Sequence, residues 1–123
     1  MRYSFKQAAG HLRAELFGRQ TVEETLQFAG ALVAEAKNAA ATRILIWVRN
    51  SRPIFKVEQY NLPEKFRQLA MIKEVRVALL ADSDEVRASH QYLELLAGLQ
   101  GANVRAFRDE SRALNWLELQ SQE

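Results

Sequence analysis

The chain has 123 residues, which is the length of one domain with a single hydrophobic core. Its formal net charge is only +2, and basic and acidic residues alternate along it, so it lacks the basic block expected of a nucleic-acid-binding protein. The absence of cysteine excludes disulfides, thiolate metal sites and thiol nucleophiles. We therefore predict a single domain over residues 1–123, with no cofactor and no nucleic-acid partner.

The longest apolar region, FAGALVAEA, is interrupted by Glu35 and Lys37. The interruption comes well before the roughly 20 apolar residues that a membrane span needs. No signal-peptide pattern opens the sequence, so the cytoplasm is the expected location.

The first predicted element is a β-hairpin. Apolar and polar side chains alternate over residues 3–5 and 12–16, and Ala9 and Gly10 separate the two runs. This period of two is typical of strands with one buried face.

A helix is predicted from about residue 22 to residue 37, because Thr21 and Glu24 have the spacing of a capping box. The continuous apolar run RILIWVR, residues 43–49, predicts a strand that is covered on both faces. The remaining predicted elements are a helix that begins near Asn61 and Pro63, a strand over 75–81, a helix over 82–100, a strand over 104–108 and a helix over 110–119.

The predicted order is therefore β-β-α-β-α-β-α-β-α. Strands that alternate with helices predict an α/β fold with a mixed, mostly parallel five-stranded sheet and helices on both of its faces.

Three stretches of the sequence, ILIWVRNSRPIF, VRVALLADSDE and GANVRAFRDESRALNWLE, resemble the SpoIIAA-like family, which is also described as STAS/SEC14-like. The resemblance covers nearly the whole chain. It implies a small cytoplasmic α/β domain that acts as a regulatory or binding module without catalytic chemistry of its own. The SEC14-like relatives imply apolar ligands.

In anti-sigma-factor antagonists of this class, a serine in the loop after the third strand is phosphorylated by a partner kinase. The resemblance implies Ser51 as the matching phosphoacceptor. The surrounding motif differs, because Asn50 replaces aspartate, Arg52 replaces a small hydroxyl residue and Pro53 replaces glycine. A phospho-switch at Ser51 and a plain loop residue are both open interpretations.

Ligands of open α/β sheets usually bind beyond the carboxyl ends of the strands. The residues that we predict at such a ligand site are Arg49, Asn50, Ser51, Arg52, Phe55 and Tyr60. The two arginines place positive charge where an anion could bind. The aromatic residues, with Val57, Leu62 and Phe66, could line an apolar pocket. The alternatives are solvated loop charges and ordinary cover of the sheet.

Acidic residues follow the fourth and fifth predicted strands. Asp82, Ser83 and Asp109 are interpreted mainly as helix caps, with Asp82 and Glu85 as a second capping box. The stretch DSDE lacks the spacing of a calcium loop, and no metal site is predicted. His90 lies on an apolar helical stripe and is expected to be a core residue.

Tyr92, Leu95 and Leu99 form a second apolar stripe on the same predicted helix. One hypothesis is an interface with a protein partner or with a second copy of the chain. The rival hypothesis is a wide contact with the last helix.

Three function classes remain open. The leading one is a non-enzymatic regulatory or ligand-binding module that takes an anionic or lipid-like small molecule or a protein partner. A phospho-switch protein acting through Ser51 is the first alternative. An enzyme such as a small hydrolase is the second, and it would need a nucleophile and a base that the sequence does not bring together.

Overall fold

A computed structural model of the protein describes residues 1–54 and 61–119. Its elements in chain order are β1 (Arg2–Ala8), β2 (His11–Phe17), α1 (Val22–Asn38), β3 (Arg43–Arg49), α2 (Leu62–Ala70), β4 (Arg76–Ala81), α3 (Asp84–Leu99), β5 (Asn103–Ala106) and α4 (Glu110–Glu118). This order confirms the predicted one. The largest differences at the element boundaries are β5, which ends at Ala106 rather than at residue 108, and α3, which begins at Asp84.

The five strands form one sheet in the order β1-β2-β3-β4-β5. β1 is antiparallel to β2, and every other neighbouring pair is parallel. The prediction of a mixed, mostly parallel five-stranded sheet is therefore confirmed. The hairpin between β1 and β2 pairs Ala8 with His11, and Gly10 adopts the left-handed φ of 80° in its turn.

Helices lie on both faces of the sheet, as predicted. α1, α2 and α3 share the apolar cluster on one face, whereas α4 packs on β3 and β4 from the other face. The strand order explains this division, because crossovers of one hand that all advance in the same direction place their helices on the same face.

α1 begins where the sequence predicts it. The Thr21 hydroxyl accepts a hydrogen bond from the Glu24 N–H at 3.1 Å, and the Glu24 carboxylate accepts one from the Thr21 N–H at 3.2 Å. This capping box satisfies two N–H groups that the first turn of a helix otherwise leaves unpaired.

The second face of the sheet has its own small core under α4. Trp116 is 8 % exposed and packs with Leu117 and Ala113 against Leu45 and Leu80 of the sheet. The prediction that Trp116 is a packing residue is confirmed.

The predicted caps of α3 and α4 are confirmed in part. The Ser83 hydroxyl accepts a hydrogen bond from the Val86 N–H at 3.2 Å, and the Asp109 carboxylate accepts one from the Arg112 N–H at 2.8 Å. The prediction that Asp82 caps α3 in a box with Glu85 is wrong. Ser83 is the N-cap, and the Asp82 carboxylate instead accepts a hydrogen bond from the Asn50 N–H at 3.0 Å.

Among the helices of residues 1–54 and 61–119, none is both long and apolar enough to cross a membrane.

Candidate functional site

The carboxyl ends of β2 and β3 are joined by backbone hydrogen bonds between the segments that follow them. The Gly18 N–H donates to the Arg49 carbonyl at 3.1 Å, and the Arg52 N–H donates to the Arg19 carbonyl at 2.9 Å. These bonds extend the pairing of two parallel strands beyond their last ladder residues, Phe17 and Arg49. The two segments therefore form one connected edge, which we call the strand-end loops (residues 18–20 and 50–52).

The hydroxyl of Ser51 is part of this connection. It accepts a hydrogen bond from the Arg19 N–H at 3.0 Å and donates one to the Arg49 carbonyl at 2.9 Å. A phosphoryl group on this oxygen would remove the donor and break the bond to Arg49. The hydrogen bonds account for a serine at this position without a phosphorylation role, and the phosphoacceptor role stays a prediction.

The structure places Arg49 on the α4 face of the sheet. Its guanidinium lies over the Trp47 ring, 4.3 Å from the ring centroid, and 5.8 Å from that of Phe17. The alternation of β3 requires this, because Ile46 and Val48 face the other helices. Arg49 and Arg52 therefore have different surroundings, since Arg52 lies in the strand-end loops beside Arg19.

An apolar cavity of ≈ 70 Å³ lies behind the strand-end loops, between the sheet and the three helices α1, α2 and α3. β2, β3 and β4 form its floor through side chains such as Leu16, Val48 and Leu79. Phe28 of α1 and Phe66 of α2 belong to its walls.

Arg19 is the charged residue of the strand-end loops that lines this cavity. Its side chain is almost fully buried, because the residue is only 4 % exposed. The guanidinium donates to the Arg52 carbonyl, but its Nε has no hydrogen-bond partner among the described residues. Burial lowers the pKa of Arg19 to about 10, so the group is still charged at neutral pH.

His90 of α3 lines the same cavity and is 2 % exposed. Burial, together with the positive charges of Arg19 and Arg87, lowers the pKa of His90 to about 3. The imidazole is therefore neutral at neutral pH, and its buried Nδ1 has no hydrogen-bond partner in the part of the chain that the structure describes. The prediction that His90 is a core residue is confirmed.

The pocket predicted from the sequence overlaps this cavity in part. Leu62 and Phe66 lie in its wall. Phe55, Val57 and Tyr60 lie outside the described residues. Arg19 was not predicted as a site residue, although its position directly after a strand that ends beside β3 is a signal in the sequence.

The second apolar stripe of α3 is divided between core and surface. Tyr92 is partly buried against the main core, whereas Leu95 is 69 % exposed and Leu99 is 80 % exposed. The rival prediction of a wide contact with the last helix is wrong, because α4 lies on the opposite face of the sheet.

Over residues 1–54 and 61–119, no group of three or more histidine, aspartate or glutamate side chains is placed to hold a metal ion. The hydroxyls of Ser51 and Ser83 both form hydrogen bonds with backbone groups rather than with His90. In the described part of the chain, neither of these hydroxyls is therefore placed as a nucleophile beside His90 as its base.

Comparisons with protein-family models and with curated protein sequences find no match to this chain. The likeness to the SpoIIAA-like family thus stays a prediction from the sequence.

Proposed function

We propose that the protein is a non-enzymatic regulatory or ligand-binding module of the SpoIIAA-like type, and that the cavity behind its strand-end loops takes a small, largely apolar ligand. The cavity itself supports this proposal. Protein interiors are packed almost without voids larger than a water molecule, so a space of ≈ 70 Å³ among apolar side chains is unusual in a small domain.

The position of the cavity also supports the proposal. It lies near the carboxyl ends of parallel strands, where open α/β sheets usually bind their ligands. Hydrogen bonds of 2.9–3.1 Å join the two strand-end loops at this edge, which gives the cavity a defined rim. Because the rim is already ordered, a ligand that binds there incurs a smaller entropic cost for ordering the protein.

The small volume selects among ligands. A space of ≈ 70 Å³ takes a chain of a few carbon atoms and has no room for the two acyl chains of a membrane lipid. A small apolar molecule is therefore favoured over the larger lipids that SEC14-like relatives imply.

The proposal is tested by titrating the protein with 1-butanol, a small neutral probe with a short apolar chain, while backbone amide resonances are followed by proton–nitrogen NMR. We expect shifts at Phe28, Leu32 and other residues of the cavity wall. Ala29→Leu places extra volume at a wall position and should abolish these shifts. Ala34→Leu is the matched control, because Ala34 is an exposed residue of the same helix.

Absence of shifts in the wild-type protein, or shifts that survive Ala29→Leu, would contradict the proposal. Ala34→Leu should retain 1-butanol binding, because it adds the same side-chain volume to α1 away from the cavity.

A further inference from the structure

The charged side chains that line the cavity share one sign. Within the described residues these are Arg19 and Lys65, and no aspartate or glutamate lines the cavity. Lys65 is partly exposed, so water can solvate its ammonium group. Arg19 is 4 % exposed, so its charge depends on the protein or on a ligand for compensation.

The described residues supply only part of that compensation. The Arg19 guanidinium donates to the Arg52 carbonyl, but it forms no ion pair with any carboxylate of residues 1–54 or 61–119. Glu24 is the carboxylate whose charge acts on it, but Glu24 accepts hydrogen bonds from the Gln20 and Thr21 N–H groups at 2.6 Å and 3.2 Å. Buried charges in proteins are normally paired, so a buried guanidinium without a carboxylate partner among the described residues needs an explanation.

Two polar atoms of residues that line this cavity have no hydrogen-bond partner within residues 1–54 and 61–119. They are Nε of Arg19 and Nδ1 of His90, and both atoms are buried. The two side chains line the same cavity, and the charge of Arg19 acts on His90. In the tautomer that carries hydrogen on Nδ1, His90 is a hydrogen-bond donor, as the Arg19 Nε–H is.

We propose that the ligand is a small amphipathic carboxylic acid, bound as its monoanion. Its carboxylate binds Nε of Arg19 and Nδ1 of His90, and its short apolar chain lies among the side chains of α1 and α2. This inference rests on the proposed function, because it assigns the chemical class of the ligand in the same cavity. A carboxylate matches the planar guanidinium better than a neutral polar group does, and it supplies the missing opposite charge.

The first test compares three probes of equal chain length on the wild-type protein. Butyrate carries the charge, butanamide keeps the shape without it, and 1-butanol keeps only a hydroxyl. We expect butyrate to bind at least about tenfold more tightly than butanamide or 1-butanol, the effect of roughly one charge-assisted hydrogen bond. Acetate, which has the charge without the chain, should bind weakly.

The second test removes the charge from the cavity. Arg19→Met keeps an unbranched apolar side chain, and we expect it to lose at least about tenfold in butyrate affinity while its 1-butanol affinity is unchanged or higher. Arg52→Met is the control for charge in the strand-end loops, because Arg52 is exposed and does not line the cavity. Lys65→Met tests the other cation of the wall and should have the smaller effect.

The outcomes separate this inference from the proposed function. Equal affinity for butyrate, butanamide and 1-butanol, with Arg19→Met unchanged, would overturn the carboxylate assignment and leave the proposal of an apolar binding cavity intact. A large loss with Lys65→Met and none with Arg19→Met would also overturn it. Absence of binding by all three probes would overturn both. The wild-type comparison stays decisive if Arg19→Met fails to fold.

Discussion

The backbone N–H of Arg19 donates a hydrogen bond to the hydroxyl of Ser51 at 3.0 Å, so the loop after β2 is held by the loop after β3. Ser51 in turn donates to the Arg49 carbonyl at 2.9 Å. This chain of bonds fixes the backbone from which the Arg19 side chain enters the cavity.

Ser51→Ala should therefore destabilise the protein. It leaves the partly buried Arg19 N–H without its acceptor, which costs about 1–2 kcal/mol. Urea unfolding of the variant measures this loss. Ser4→Ala is the matched control, because Ser4 is exposed on β1 and should change stability by less than about 0.5 kcal/mol. Equal stability of the two variants would contradict the structural role of the Ser51 hydroxyl.

The buried His90 predicts a loss of stability in weak acid. Its pKa is about 3 in the folded protein and 6.5 ordinarily, so the unfolded chain binds a proton that the folded one does not. The contribution of His90 to the free energy of unfolding is therefore constant above about pH 6.5. Below that pH it falls, with a slope of at most about 1.4 kcal/mol per pH unit.

The measurement is urea unfolding of the wild type and of His90→Gln from about pH 7 to about pH 4.5, above the range of most carboxylates. The slope should be smaller in His90→Gln, because glutamine does not titrate. His11→Gln, which makes the same substitution at the partly exposed histidine of the hairpin, is the control for the substitution itself. Parallel curves for all three proteins would contradict the buried neutral state of His90.

A carboxylate links the sheet to α4 on the opposite face. Glu110 accepts hydrogen bonds from Arg13 at 3.1 Å and from the Trp47 indole at 3.1 Å. Both hydrogen bonds hold the pKa of Glu110 below its usual range, and the bond from Arg13 has the larger effect. Its folded-state pKa is lowered, so its stabilisation is present above the ordinary value of 4.5 and is lost as pH falls through the folded value.

Glu110→Gln should thus be less stable than the wild type at neutral pH, by about 0.5–1 kcal/mol because the carboxylate is partly exposed. The difference should shrink toward zero in acid, where the wild-type carboxyl group is also neutral. Unfolding free energies of both proteins at neutral and acidic pH check this prediction. A difference that does not depend on pH would show that charge at Glu110 has no part in it.

Leu95 and Leu99 of α3 are exposed, so replacing them should remove any interface that they form without unfolding the protein. Leu95→Lys with Leu99→Lys should change the free energy of unfolding by less than about 0.5 kcal/mol, because both side chains are mostly exposed. The homodimer hypothesis predicts that sedimentation of the wild type depends on concentration and that this association disappears in the double variant. Met71→Lys is the control, since Met71 is 70 % exposed on another helix end.

A wild-type protein that sediments as a monomer at high micromolar concentration would contradict the homodimer. Tyr92 should not be included in the variant, because it packs against the main core and its loss would confuse stability with association.

Local patterns were sufficient to predict the fold. The alternation over residues 12–16 identified β2, because one face of that strand is buried and the other is not. The spacing of Thr21 and Glu24 located the start of α1, because capping depends on neighbouring residues alone. The cap of α3 was wrong by one residue, since Asp82 and Ser83 can both accept from a helix N-terminus and only the tertiary bond from Asn50 to Asp82 decides between them.

The residues of the site were harder to predict from the sequence. Arg49 was expected beside the ligand, but the period of two in β3 turns it toward Trp47 and α4. Arg19 follows β2 in a short polar segment that resembles an ordinary loop. It becomes a buried cation only because α1, the β3 loop and α3 close around it, which is a tertiary effect without a local pattern.

The most direct test of the account is a crystal structure of the protein grown with butyrate. The account predicts the carboxylate within hydrogen-bond distance of Nε of Arg19 and Nδ1 of His90, and the alkyl chain between Phe28 and Phe66. Butyrate bound at the exposed Arg52, with the cavity unchanged, would contradict it.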